Sequence, residues 1–375
     1  MKKLALGLLL GASCASLSAV TPLWMRDAVI SPDGSEIAFC YKGDIYKVKA
    51  SGGEAVRLTT QSSYESTPVW SPDGKQIAFA SDRFGNMDVF IMSSEGGEAR
   101  RLTFNSTSEI PSAFTPDGKQ VVFSASIQDP AGSALFPTTA MTELYQVPAE
   151  GGRTTQLLGT PAEMVCYAPS GNFFLYQDRK GFEDEWRKHH TSSITRDIWM
   201  YDTQTGKHTN LTDRAGEDRN PRLSPDGKQV YFLSERNGGS FNVYRFPLGQ
   251  PQEVQPVTSF KGNPVRFLSV SQNGTLCYTY DGELYTQSIQ AGQAKKVPVS
   301  LTLDEEEMPV DYLFTRGASE ATVSPDGKQV AFVVRGEVFV TSVEYGTTKQ
   351  ITHTPEAEEG VSFGADNRTL VYSSE

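Results

Sequence analysis

Residues 71–82 read "SPDGKQIAFASD", and nearly the same dozen returns as "SPDGKQVYFLSE" from Ser224 and as "SPDGKQVAFVVR" from Ser324. Such a repeat decides the fold before any motif is weighed, because each copy is one supersecondary unit that needs neighbours to bury its apolar face. Aligned on the first residue there are eight copies, at Ser31, Ser71, Thr115, Ala168, Ser224, Ser271, Ser324 and Gly364, spaced 40, 44, 53, 56, 47, 53 and 40 residues apart. Five keep Pro-Asp-Gly, and the others read "APSG", "SQNG" and "GADN". The turn chemistry survives throughout, since Pro presets φ at the first turn position and Gly or Asn accepts the positive φ that follows.

After each turn comes a β-branched and aromatic run such as "IAFA", "VVFSA" or "FFLY", the signature of a strand. A second run follows: "DIYKV" at Asp44, "DVFIM" at Asp88, "ELYQV" at Glu143, "DIWMY" at Asp197, "NVYRF" at Asn242, "ELYTQ" at Glu283 and "EVFVT" at Glu337. Gly-rich breaks then lead to a last run such as "AVRLT" or "ARRLT", and "TPVW" or "IPSAF" precedes the turn. No long helical period intervenes. Four short antiparallel strands in units of about 40–45 residues predict a β-propeller. The expected architecture is all-β: a six-bladed β-propeller of four-stranded antiparallel blades over residues 20–305, a linker at 306–318, and the first blades of an incomplete second propeller at 319–375. The acidic run in "SLTLDEEEMPVDYLFTRG" marks the boundary.

The N-terminal "MKKLALGLLLGASCASLSA", residues 1–19, reads as a signal peptide, with two lysines, a short apolar run and small residues where cleavage would fall. A periplasmic or secreted location follows, with lipid attachment at Cys14 as a weaker alternative because Gly11 stands where such sites usually carry Leu. Removing Lys2 and Lys3 from a net charge of −11 leaves −13, which argues against a nucleic-acid partner. Cys40 and Cys277 fall on opposite strand parities, so buried free thiols are expected rather than a disulfide framework.

Two motifs fail on context. "GVSFG", Gly360 to Gly364, matches a nucleophile elbow at Ser362, but that chemistry needs a strand-to-helix turn and a base, and here a strand and β-turn are expected. His189 and His190 are loop neighbours, a poor spacing for aiming two rings at one ion, and only His208 and His353 exist besides. No metal, cofactor or catalytic residue is expected in this chain.

Two features remain as candidate sites. Copy four carries "QDRKGFEDEWRKHHTSSITRD" where copy two needs only "SDRFGNM", and an overlong charged loop of this kind is where binding residues concentrate: Glu183, Glu185, Trp186, Arg187, His189 and His190. The second is a register. Six residues before a copy begins stand Glu65, Glu109, Asp218 and Glu358, with Glu163 displaced by one. In a propeller this places Glu65, Glu109, Glu163 and Asp218 at one mouth of the channel, either as caps of inter-blade turns or as a negative ring that binds cationic groups of a substrate or partner.

The blade grammar resembles periplasmic TolB-type propellers and, more loosely, those of prolyl oligopeptidases. The insertion "GFEDEWRKHHTSSITRDIWMYD" and the segment "MPVDYLFTRGASEATVSPDGKQVAF" resemble the first propeller and second-propeller start of bacterial tricorn-type serine proteases, over essentially the whole mature chain. That resemblance implies a secreted peptidase that degrades oligopeptides, in which the propellers filter and channel peptides or unfolded polypeptide. A PDZ-like domain and a catalytic core would follow on the same chain, with homo-oligomerisation left open. It also implies blades without an interlocking closure. A stand-alone TolB-like binding protein, or the propeller of a dipeptidyl-peptidase-like enzyme using "FEDEW", are the alternatives.

Overall fold

The computed structural model describes residues 19–127, 141–182, 184, 186–187, 192–236, 240–290, 292–302 and 316–375, and every regular element among them is a β-strand. Seven four-stranded antiparallel sheets of propeller-blade form succeed one another among the described residues. Sheet one runs through Arg26–Ile30, Glu36–Tyr41, Asp44–Lys49 and Val56–Arg57. Sheets two to seven begin at Glu65–Trp70, Glu109–Phe114, Ala162–Tyr167, Asp218–Leu223, Arg266–Val270 and Glu320–Val323. A two-stranded sheet, Glu358–Phe363 with Leu370–Ser374, comes last. The insertion of copy four leaves between the second and third strands of its sheet, as its position in the repeat requires.

The repeated dozen residues earn their constancy in the hairpin that joins the first two strands. Ser31, Ser71, Ser224 and Ser324 each donate to the aspartate two residues on, at 2.5–2.7 Å, and Thr115 does the same to Asp117. The same oxygens accept the N–H groups of Glu36, Gln76, Gln120, Gln229 and Gln329 at 2.9–3.0 Å. Side chain and backbone thus close the turn together.

Six apolar clusters lie between consecutive sheets. One joins sheets one and two around Phe79 and Phe90, and the next joins two and three around Phe123. The series continues through Phe174, Phe232 and Tyr278. The remaining cluster packs Cys277 and Leu284 of sheet six against Ile37, Phe39 and Val48 of sheet one. Cys40 and Cys277 therefore face different seams, and both are free thiols, as their parity predicts. A separate small cluster around Val333 and Val338 serves the sheets after residue 316.

Two features escape the repeat. The innermost strands of sheets one to six slip register, for example between Arg26 and Val29, Ser66 and Val69, Arg219 and Arg222, and Arg266 and Ser269, whereas Glu320–Val323 of sheet seven pairs without a slip. Asp27, Thr67, Met164, Asn220 and Phe267, four residues before their copies, stand at φ between 49° and 58°. These are β-bulges carrying side chains where glycine would be the easier choice. In the last copy the equivalent residue is Gly360 at φ 66°, which accounts for the first glycine of "GVSFG". Ser362 there donates to the Val371 carbonyl at 3.4 Å, inside a hairpin. The second feature is a three-stranded clasp outside the blades. Ala19–Val20 pairs antiparallel with Val299–Thr302, which pairs parallel with Gly53–Glu54. The blades do draw all four strands locally, but the expected lack of any interlocking needs correcting, because this clasp ties residues 299–302 to both the start of the described chain and sheet one.

Candidate functional site

Glu65, Glu109 and Asp218 open the innermost strands of sheets two, three and five, and Glu163 is the second residue of that of sheet four. Their neighbourhood is the seam between sheets. The Glu65 N–H donates to the Gly43 carbonyl of sheet one at 2.7 Å, Glu109 donates to Met87 at 2.8 Å, and Asp218 to Arg196 at 3.0 Å. Met25 and Val265 make the same stitch, to Gly282 and Phe241. In sheets one and six the register position is therefore apolar, and the acids form an arc over four sheets instead of a full ring.

The stitch buries the side chains: Glu65 and Asp218 are 0% exposed, Glu109 1% and Glu163 8%. Buried carboxylates need partners, and most have them. Glu65 accepts from the hydroxyls of Ser63 and Ser81 and pairs with Arg83 at 3.2 Å. Asp218 meets Arg236 at 2.9 Å and Arg214 at 3.4 Å, yet burial still wins and raises its pKa. Glu163 is held by Arg179, by Arg196 at 3.4 Å and by Gln177 at 3.1 Å. Burial pushes that carboxyl up, but Arg196 and Arg179 override it and hold it below the usual range. The placement is that of seam groups bonded to their surroundings.

Glu109 differs. It makes no ion pair among the described residues, and burial, only partly offset by the Thr103 hydroxyl, raises its pKa from 4.5 to about 7. A raised folded-state pKa means stability that is full below pH 4.5 and is lost as pH rises through about 7. Glu109→Gln should therefore match the parent near pH 4.5 and exceed it by up to about 3 kcal/mol at pH 8. Melting temperature against pH for the two proteins checks this, and parallel curves would refute it.

The insertion reaches the same end of the sheets. Among its predicted residues Trp186 and Arg187 are described, while Glu183, Glu185, His189 and His190 lie outside the described residues. Arg187 crosses from sheet four to sheet five, where it meets Glu217 at 2.7 Å and Glu235 at 2.6 Å. Arg196 at 3.1 Å and Arg219 at 3.6 Å also face Glu217. Burial pushes the Glu217 carboxyl up, but Arg219, Arg196 and Arg187 together hold it below its usual value. Next along, the Trp186 carbonyl accepts from Arg266 of sheet six at 2.8 Å. The Trp186 ring lies edge-on to Phe267 at 5.9 Å and tilted against Trp24 at 6.4 Å. Guanidinium groups of Arg26 and Arg266 sit 4.6 and 4.9 Å from its centre. A cavity of about 260 Å³ opens beside it, walled by Trp24, Arg26, Trp186, Arg266, Phe267 and Asp281.

Sequence reasoning found the acids and missed these arginines. Arg26, Arg219 and Arg266 each stand five residues before their copy, one step past the acidic register, so reading that register one position further exposes them. This end of the sheets is thus mixed in charge: an arc of buried acids, and cations where the insertion crosses.

Comparison with known proteins agrees with this architecture. The family model for the tricorn protease N-terminal beta propeller domain matches residues 22–293. The "Tricorn protease homolog 1" of Streptomyces coelicolor is 25% identical over 329 residues, 86% of this chain and 29% of the relative. The "Uncharacterized peptidase YuxL" of Bacillus subtilis is 24% identical over 210 residues, 56% of this chain and 28% of the relative. This chain therefore spans less than a third of either. Among solved structures, the crystal structure of the tricorn protease superposes with a TM-score of 0.62 at 20% identity, covering 89% of this chain and 32% of that one, a likeness of fold. With the family model covering most of its length, the chain belongs to the tricorn protease N-terminal beta-propeller domain family.

Proposed function

We propose that this chain is the non-catalytic, substrate-handling portion of a secreted or periplasmic tricorn-like serine peptidase. Residues 20–305 act as a six-bladed ring, and residues 319–375 begin a second propeller. Two observations support the ring: the sheet-six cluster packs back on sheet one, and the inter-sheet stitch recurs from Gly282 to Met25. Peptides or unfolded polypeptide meet the ring at the mouth marked by Glu65, Glu109, Glu163 and Asp218. PDZ-like and catalytic domains elsewhere on the same chain do the hydrolysis.

One observation carries the binding role. The Trp186–Arg187 arm leaves sheet four and touches sheets five, six and one, leaving an aromatic- and arginine-lined cavity at the mouth. Large, stiff aromatic surface beside arginine is what polypeptide-binding patches are enriched in. The test is fluorescence anisotropy of a labelled, reduced and carboxymethylated polypeptide against this chain. Trp186→Ala should weaken binding about tenfold, the size of one aromatic anchor, with the melting temperature reported alongside. No binding by the parent, or equal binding by a folded Trp186→Ala, would overturn the reading. Peptide turnover by this chain that vanished on Ser362→Ala would overturn the non-catalytic assignment.

A further inference from the structure

Each sheet carries an acid or amide at the head of its third strand: Asp44, Asp88, Glu143, Asp197, Asn242, Glu283 and Glu337. In the first six sheets that group is served from within its own sheet. Arg57 meets Asp44 at 2.7 Å, Arg101 meets Asp88 at 2.8 Å, and Lys296 pairs with Glu283. Lys180 meets Asp197 at 2.6 Å, and Gln156 donates to Glu143 at 2.7 Å. Asn242 is neutral and needs no counter-charge.

Sheet seven meets its acid with its own threonine but draws the cation from another sheet. Arg57 and Arg101 stand two residues before the threonines Thr59 and Thr103, whose hydroxyls accept the N–H groups of Ile45 and Val89. Thr352 makes the equivalent bond to Val338 at 2.8 Å, but two residues before it stands Gln350, which contacts His353 instead. Glu337 is 8% exposed and takes the Thr352 hydroxyl at 2.8 Å. Its cation comes from sheet one, where Lys42 Nζ lies 3.0 Å away. A carboxylate this buried must be hydrogen-bonded or paired; Glu143 is met by neutral donors of its own sheet, whereas Glu337 adds to its threonine a cation from 295 residues upstream.

The contact is reciprocal. Lys42-Gly43 and Arg335-Gly336 are both two-residue hairpin turns with positive φ at both positions, 47° and 86° in one and 54° and 76° in the other. Lys42 at the first turn reaches the acid after the second. Arg335 at the second turn lies 5.7 Å from the centre of the Tyr64 ring and within 3.5 Å of the Ser62 carbonyl. Gly43 leaves room for this, since a Cβ there would stand 3.1 Å from Tyr64 and 3.4 Å from Arg335.

We infer that residues 316–375 dock on sheet one through this exchanged pair of hairpin turns, with Lys42–Glu337 as the charge lock that fixes their orientation. Such a lock makes the two bodies move as one although no backbone strand is shared between them among the described residues. The inference does not depend on peptide binding.

The test is a distance distribution between nitroxide labels on Glu98→Cys and Lys349→Cys, both exposed positions, measured in the 375-residue chain with Cys14→Ser and Cys166→Ala as background. A narrow distribution is expected for the parent. Lys42→Glu and Glu337→Gln should each lose the narrow component, and the exchanged pair Lys42→Glu with Glu337→Lys should regain it. Equal widths in the parent and the single variants would overturn the lock, as would an exchanged pair that is folded yet as broad as the singles. Lys42→Met, at a half-exposed turn, keeps the test decisive if the exchanged pair does not fold, because an unchanged width there also overturns it.

Discussion

Arg187→Ala is expected to destabilise the chain by about 3–5 kcal/mol, the usual cost of removing one partner from a buried ion pair. The arginine side chain is 1% exposed, and the two carboxylates it bridges, Glu217 and Glu235, are 0% and 2% exposed. Arg196 and Arg219 remain near Glu217, whereas Glu235 loses its one cation among the described residues and is left with the Glu217 N–H at 2.7 Å. The greater share of the loss therefore falls on Glu235. Glu235→Gln in the Arg187→Ala background should recover part of it, because a neutral amide tolerates the same burial. Arg187→Lys should lie between, retaining charge but not the fork that spans both acids. Urea denaturation of the four proteins measures this. A loss under about 1 kcal/mol for Arg187→Ala would mean that the arm is a surface excursion.

Gly282→Ala should be nearly as damaging, by about 2–5 kcal/mol, from left-handed backbone and overpacking together. Gly282 has φ 70°, and a Cβ would stand 2.4 Å from the Trp24 nitrogen and 2.7 Å from its Cα. Those are backbone atoms of the segment that carries the Met25-to-Gly282 stitch, so they cannot step aside without opening the seam between sheets six and one. Gly227 is the control. It has φ 69° with nothing within 4 Å of its would-be Cβ, so Gly227→Ala should cost only the backbone part, about 1 kcal/mol. Equal losses at the two positions would show that the seam is not under this constraint. Melting curves of both variants decide it.

Much of this architecture is legible from the chain alone because turn chemistry is local. Ser71 and Asp73 close their hairpin within six residues, so the strands on either side are marked wherever the motif recurs. The acids were equally visible, since a register in a repeat is a position in space. What stayed hidden depends on partners far along the chain. Nothing near Arg187 in sequence announces Glu217 and Glu235, which lie 30 and 48 residues away. The bulges at Asp27, Thr67 and Phe267 carry no glycine to betray their positive φ. The clasp uses strands of two to four residues, too short for alternation to register.

That clasp also determines where tension would go. Pulling on the chain beyond residue 302 loads the strand Val299–Thr302 before it reaches the last strand of sheet six, Lys295–Lys296. The load divides between an antiparallel partner at Ala19–Val20 and a parallel one at Gly53–Glu54. Gly53 follows directly on the hairpin whose Gly52 faces Pro298, a Cβ there meeting its carbonyl at 2.5 Å, so the force is handed across to sheet one. The two partner strands then act as a strain relief, because their pairing must yield before a pull reaches the seam between sheets six and one.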